Sequence, residues 1–127
     1  MSKEQKFFIC KHCGNFAGMI AFSGAPMTCC GEKMTEVVPN TTEAAGEKHI
    51  PTVKLDGDIL TVNVGSVDHP MSEEHSIEWV YVQTENGGQR RKLYPGAKPC
   101  ASFALNGEKP LAVFAYCNLH GLWKADL

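Results

Sequence analysis

Two sets of potential metal ligands dominate this sequence. The first is Cys10-Lys11-His12-Cys13-Gly14, followed sixteen residues after Cys13 by Cys29-Cys30-Gly31. A C-x-x-C turn lets two thiolates reach one ion while backbone N–H groups point at the sulfurs, and the glycine after it accepts the backbone angles required. Four thiolates within about 20 residues make a tetrahedral site for zinc or iron, and spacing alone ranks zinc first. Cys29 and Cys30 are adjacent and must twist to face one ion. Four sulfurs fill the shell, so His12 reads as a solvated loop residue.

The second set is spread over three stretches: Glu47-Lys48-His49, the loop His69-Pro70-Met71-Ser72-Glu73-Glu74-His75, and Cys117-Asn118-Leu119-His120. They hold four of the five histidines and one of the six cysteines, and each borders a segment that reads as β-strand. A single histidine at a strand end is ordinarily a hydrogen-bonded structural residue. The joint pattern argues for a metal instead. Four neutral imidazoles and one thiolate exceed what structural zinc takes and suit iron with one position open. An open position on a redox metal implies a small ligand, and a first shell of about +1 for Fe(II) with one thiolate favours an anion. Lys48 adds positive charge that would steer such an anion or help deliver a proton. Glu47 is placed to fill the open position when substrate is absent. Solvation is the plain alternative for both.

The elements that must position these residues follow from composition and periodicity. The chain of 127 residues is 43% hydrophobic and 20% charged, which suits one domain or a small module joined to a modest one. A net charge of -2 argues against nucleic acid or a polybasic membrane contact as partner. No apolar run reaches the length of a signal core or of a membrane span, so the expected location is the cytoplasm. There, six cysteines serve as metal ligands or free thiols rather than disulfides.

Residues 1–37 read as the four-cysteine module, and 38–48, with Pro39 and Gly46 as breakers, as the connection into a second domain ending at 127. Short β-rich runs follow near 50–55, 59–64, 76–84, 89–94, 100–105, 111–117 and 121–126, separated by Asp56-Gly57-Asp58, Asn86-Gly87-Gly88, Pro95-Gly96 and Asn106-Gly107-Glu108. Seven short strands with almost no helical periodicity predict an antiparallel sandwich, whose clustered strand ends would bring the three stretches together. Within it, Trp79 and Tyr81 read as core, and Cys100 as a small buried hydrophobe. Arg90-Arg91-Lys92 reads as a solvated strand face, with docking of an electron donor as its functional alternative.

At these residues the chain resembles the two-iron superoxide reductases, the desulfoferrodoxin family. Cys10-x-x-Cys13 with Cys29-Cys30 resembles the desulforedoxin-type FeS4 module. Glu47-Lys48-His49-x-Pro51, His69, His75 and Cys117-Asn118-x-His120 resemble the catalytic iron domain, with no departure at a ligand position. The resemblance spans essentially the whole chain. It implies a mainly β protein, a small desulforedoxin-like metal-binding module followed by a seven-stranded immunoglobulin-like antiparallel β-sandwich. It also implies two iron ions per chain, iron replacing zinc at the first site. His49, His69, His75 and His120 would lie equatorially and Cys117 axially. Superoxide would take one electron and leave as hydrogen peroxide, with Lys48 acting in capture and Glu47 coordinating the oxidised resting iron. The donor would be a small carrier such as a rubredoxin, and the protein a homodimer. Competing readings are an electron carrier in which the FeS4 centre is the working part, a zinc-dependent binding module, and a dismutase.

Overall fold

The structure, a computed structural model, describes residues 4–127; the first three residues of the expected 1–37 module lie outside the described residues. The chain divides into two compact units, Met1–Val38 and Pro39–Leu127. Among the described residues no helix is long and apolar enough to cross a membrane.

The first unit contains β1 (Phe7–Ile9), β2 (Phe16–Gly18), β3 (Thr28–Cys29), β4 (Glu32–Lys33) and β5 (Thr35–Glu36). β1 pairs antiparallel with β2 on one side and β5 on the other, while β3 and β4 form a separate hairpin. Its buried apolar side chains among the described residues are Phe7, Phe8 and Cys10, and Ile20 is fully exposed. So small a core does not by itself offset the entropy of ordering the chain, which ties folding of this unit to its metal.

The second unit begins with a segment that is more ordered than a linker. Asn40 is fastened to the last strand: its N–H donates to the Leu122 carbonyl (2.9 Å) and its side chain exchanges bonds with Lys124. Gly46–His49 closes into one helical turn, α1, through Lys48 N–H to Ala45 O (3.1 Å) and Ile50 N–H to Gly46 O (2.9 Å). Pro51 stops it, because the residue before a proline is pushed out of helical geometry, and Ile50 is extended. One turn is too short to leave a periodicity in the sequence.

Seven strands follow: β6 (Pro51–Asp56), β7 (Ile59–Val64), β8 (Ile77–Thr84), β9 (Gly87–Lys92), β10 (Cys100–Ala104), β11 (Pro110–Cys117) and β12 (Gly121–Asp126). They form an antiparallel three-stranded sheet, β10-β7-β6, and a four-stranded sheet, β12-β11-β8-β9. Leu60, Val62 and Val64 of β7 and Phe103 of β10 pack with Val80 and Val82 of β8 and with Val113, Ala115 and Cys117 of β11. This shared apolar layer is the sandwich core, and Cys117 is part of it.

Three expectations change. Trp79 and Tyr81 sit on the outer face of the larger sheet, half-buried, where Trp79 stacks on Tyr116 (5.7 Å between ring centroids) and Tyr81 leans on Phe114 (6.1 Å). Strand alternation gives the core face to Val80 and Val82 instead. Cys100 is half-buried, because Ala101 takes the inward position at the start of β10. The turn between β8 and β9 is Glu85-Asn86, and Gly87 and Gly88 continue as strand. Gly88 is required there, since a Cβ would collide with the Tyr81 ring.

Candidate metal centres

In the first unit the C-x-x-C turn closes through Gly14 N–H to Cys10 O (2.8 Å), with Gly14 at φ +84°. The second cysteine pair lies on a two-residue hairpin turn. Cys30 (φ +54°) and Gly31 (φ +76°) both take left-handed conformations between Cys29 of β3 and Glu32 of β4. That turn type matches the twist of paired strands. It also supplies the twist that lets adjacent cysteines serve one ion. The Cys13 and Cys29 sulfurs are 3.6 Å apart, and the Asn15 amide donates to the Cys29 sulfur at 3.5 Å. One acceptor atom from each of the four cysteines falls within 4.8 Å of the others.

Four thiolates this close repel one another. Hydrogen bonding from the Cys13 backbone N–H holds the Cys10 thiol down at about 6, whereas hydrogen bonding with the Cys13 side chain pushes Cys30 up to about 12. Full ionisation therefore needs a cation, and the donor set fits a tetrahedral thiolate-loving metal. His12 is exposed and paired with Glu32 (3.0 Å), outside the sulfur cluster.

In the second unit the tertiary structure gathers three separate stretches. Cys117 ends β11 and pairs with Gly121 of β12, so Asn118-Leu119-His120 forms a three-residue hairpin loop with Gly121 at φ +78°. This tight turn brings the Cys117 sulfur to 3.9 Å from His120 Nδ1. A register shift between Tyr116 and Cys117 skips Glu78, which leaves Cys117 opposite Ile77 at the edge of the core. His49 ends α1, and the loop after β7 supplies His69 and His75. His49 Nε2 lies 3.1 Å from His69 Nε2 and 3.2 Å from His120 Nδ1. Donor atoms of His49, His69, His75 and Cys117 all lie within 4.8 Å of one another, with His120 against them.

The protonation state follows from the other ring nitrogens. His49 Nδ1 donates to the Ala45 carbonyl (2.8 Å) and His69 Nδ1 to the Pro70 carbonyl (2.7 Å), which directs the Nε2 lone pairs inward. Burial depresses all three of His49, His69 and His75, His69 to about 4. Neutral imidazoles therefore face each other lone pair to lone pair, and His75 Nε2 is buried without a hydrogen-bond partner. Burial also pushes the Cys117 thiol up. A cation at the centre removes each of these penalties at once. Four imidazoles with one sulfur fit iron.

Glu47 and Lys48 are exposed on the same turn that buries His49, and the Lys48 charge is felt at His75. Three further residues hold the ligands in place. Gly65 lets α1 approach β7, since a Cβ there would sit 2.6 Å from the Glu47 carbonyl oxygen. Trp123 Nε1 donates to the His120 carbonyl at 3.1 Å and its ring packs on His49. Asn118 joins the two ligand-bearing segments: its side-chain oxygen accepts from Ser76 N–H (3.0 Å) and its amide donates to the Glu74 carbonyl (2.9 Å). The residue between Cys117 and His120 in a C-x-x-H motif hints at Asn118. Gly65 and Trp123 carry no sequence signal.

Asn118→Ala removes both bonds and is expected to lower metal affinity at the histidine site about 10–100-fold. Chelator competition measures this, and the absorption of the four-cysteine centre serves as an unchanged internal reference. The metal-free protein should also be acid-sensitive. His69 is neutral in the fold down to about 4 but titrates at 6.5 when unfolded, so protons favour the unfolded chain between those values. Stability of the sandwich is full above 6.5 and falls as pH drops towards 4, which denaturation midpoints across that range will read.

The family profile for desulfoferrodoxin matches residues 41–126. The desulfoferrodoxin of Clostridium acetobutylicum is 40% identical over 127 residues, covering 100% of both chains. The crystal structure of the superoxide reductase from Treponema pallidum superposes with a TM-score of 0.83 at 38% identity, covering 98% of this chain and 100% of that one. A one-iron superoxide reductase from Giardia intestinalis covers 64% of this chain and 97% of its own at 32% identity, with a TM-score of 0.54. The four-sulfur set and the histidine and cysteine set fit two iron centres. Shared sequence along its whole length and a shared architecture place this chain in the desulfoferrodoxin family.

Proposed function

We propose that this protein is a superoxide reductase, working at the centre formed by His49, His69, His75, His120 and Cys117. The observation that carries the reading is the convergence of four imidazoles and one sulfur beside an exposed Lys48, a donor set that leaves iron able to accept a small anion. A ferrous ion held there supplies the one electron that, with two protons, converts superoxide to hydrogen peroxide without release of dioxygen.

The chain's own groups do the rest. Lys48 draws the anion in by its charge and relays a proton through water. Glu47, on the same turn, closes the site with its carboxylate when substrate is absent. Cys117, fully buried in the core cluster that includes Ile77, Val80 and Ala115, is kept from solvent and from oxidative attack. The ring N–H bonds of His49 and His69 to carbonyls keep both imidazoles oriented and basic. The four-cysteine centre, with Cys13 and Cys30 exposed, relays or stores electrons from an external one-electron carrier such as a rubredoxin. That exposure also supports a second reading, in which this centre alone carries electrons. We read the working form as a cytoplasmic homodimer that removes superoxide.

Stopped-flow mixing of the reduced, iron-loaded protein with superoxide separates the readings. One equivalent of superoxide is expected to oxidise the histidine centre and yield peroxide with no oxygen, and the reaction should stop until reductant is added. Oxygen release indicates a dismutase instead, and a histidine centre indifferent to superoxide favours the electron carrier. In the same assay Lys48→Ile is expected to slow the second-order capture step about tenfold and flatten its dependence on ionic strength. An unchanged salt dependence removes Lys48 from the mechanism.

A further inference from the structure

The homodimer reading leaves the contacting surface open, and one sheet edge stands out. β6 pairs with β7 alone, with Val53 opposite Val62 and Leu55 opposite Leu60. Residues paired directly across an antiparallel ladder share a face. Val62 and Leu60 are 0% and 1% exposed, yet Val53 and Leu55 on that same face are 38% and 56% exposed. The core side of the small sheet therefore runs on beyond the cover of the larger one.

The other three outer strands are protected in the ways proteins blunt an open edge. β12 is capped by the bonds of Asn40 to Leu122 and Lys124. β10 receives the Gln89 amide at the Ala104 carbonyl (2.8 Å). β9 carries three consecutive exposed cations, Arg90, Arg91 and Lys92, which repel a like strand. β6 has no such capping bond and no run of like charges among the described residues; its proline, Pro51, stands only at its first position. Its own charges, Lys54 and Asp56, are of opposite sign and two apart.

That spacing makes the strand complementary to itself. In a two-fold antiparallel pairing, opposed residues share a face, so the axis passes through a residue. An axis at Lys54 or Asp56 sets that residue against its own copy, like charge to like charge. An axis at Val53 sets Pro51, which has no N–H, against Leu55. An axis at Leu55 sets Lys54 against the partner's Asp56 twice and Leu55 against the partner's Leu55. We infer that two copies of this chain associate through the β6 edge, antiparallel about Leu55, to make one continuous six-stranded sheet.

The inference rests on the homodimer reading and is tested on the full-length, iron-loaded protein by sedimentation equilibrium. The unaltered chain should be a dimer. Lys54→Asp and Asp56→Lys, each replacing two attractive pairs by two repulsive ones, should raise the dissociation constant at least about tenfold. The combined Lys54→Asp, Asp56→Lys chain restores both pairs with reversed polarity and should dimerise like the original. A monomer up to about 100 µM overturns both this inference and the homodimer reading. A dimer that ignores the single changes, or a double variant that fails to recover, overturns the β6 interface alone and leaves the homodimer reading in place.

Discussion

Electron pairs crowded without a proton to share set the terms for this molecule. His49 Nε2 faces His69 Nε2 at 3.1 Å, with His120 Nδ1 3.2 Å away, while the ring protons of His49 and His69 are spent on carbonyl oxygens and a further proton is disfavoured by burial. Such a cluster is stable only around a cation. Everything else in the second unit holds the cluster in place.

The restraint comes from irregular backbone mounted on regular strands. A single helical turn stopped by Pro51 carries His49, a three-residue hairpin loop carries His120 beside Cys117, and a loop pinned by Asn118 carries His75. Regular strands could not do this, because their side chains point across the sheet rather than along it. The sandwich in turn gives each segment a rigid base. Its apolar layer, in which Cys117 itself is buried, keeps water from the sulfur side of the site, while Glu47 and Lys48 on α1 stay exposed.

The two centres solve the same problem by opposite means. In the second unit, burial supplies a preformed pocket and the metal relieves it. The first unit has little to bury, and two of its four sulfurs are exposed, so the metal takes the place of a core. A thiolate cage of four sulfurs suits electron transfer, whereas a nitrogen-rich donor set that leaves an iron position unfilled suits inner-sphere chemistry. The desulfoferrodoxin architecture thus joins a metal that organises its protein to a protein that organises its metal.

Much of this was open to reading along the chain. Cys10, Cys13, Cys29 and Cys30 announce a site because their ligands are neighbours in sequence, and the seven strands announce themselves through alternation and turn residues. Even His49, His69, His75, Cys117 and His120 could be grouped, because each borders a strand and strand ends cluster. Periodicity could not assign the larger sheet's faces, since Trp79, Tyr81, Val80 and Val82 are all apolar and only packing against β7 and β10 decides which pair faces inward. A single helical turn at Gly46–His49 lies below the length at which a helical pattern shows. The clearance at Gly65, the brace at Trp123 and the bare edge of β6 depend on atoms distant along the chain. Sequence determined which ligands exist and on which kind of element they ride, because those depend on local chemistry; tertiary structure alone decided which ligand atoms meet, because that depends on contacts between segments up to 71 residues apart.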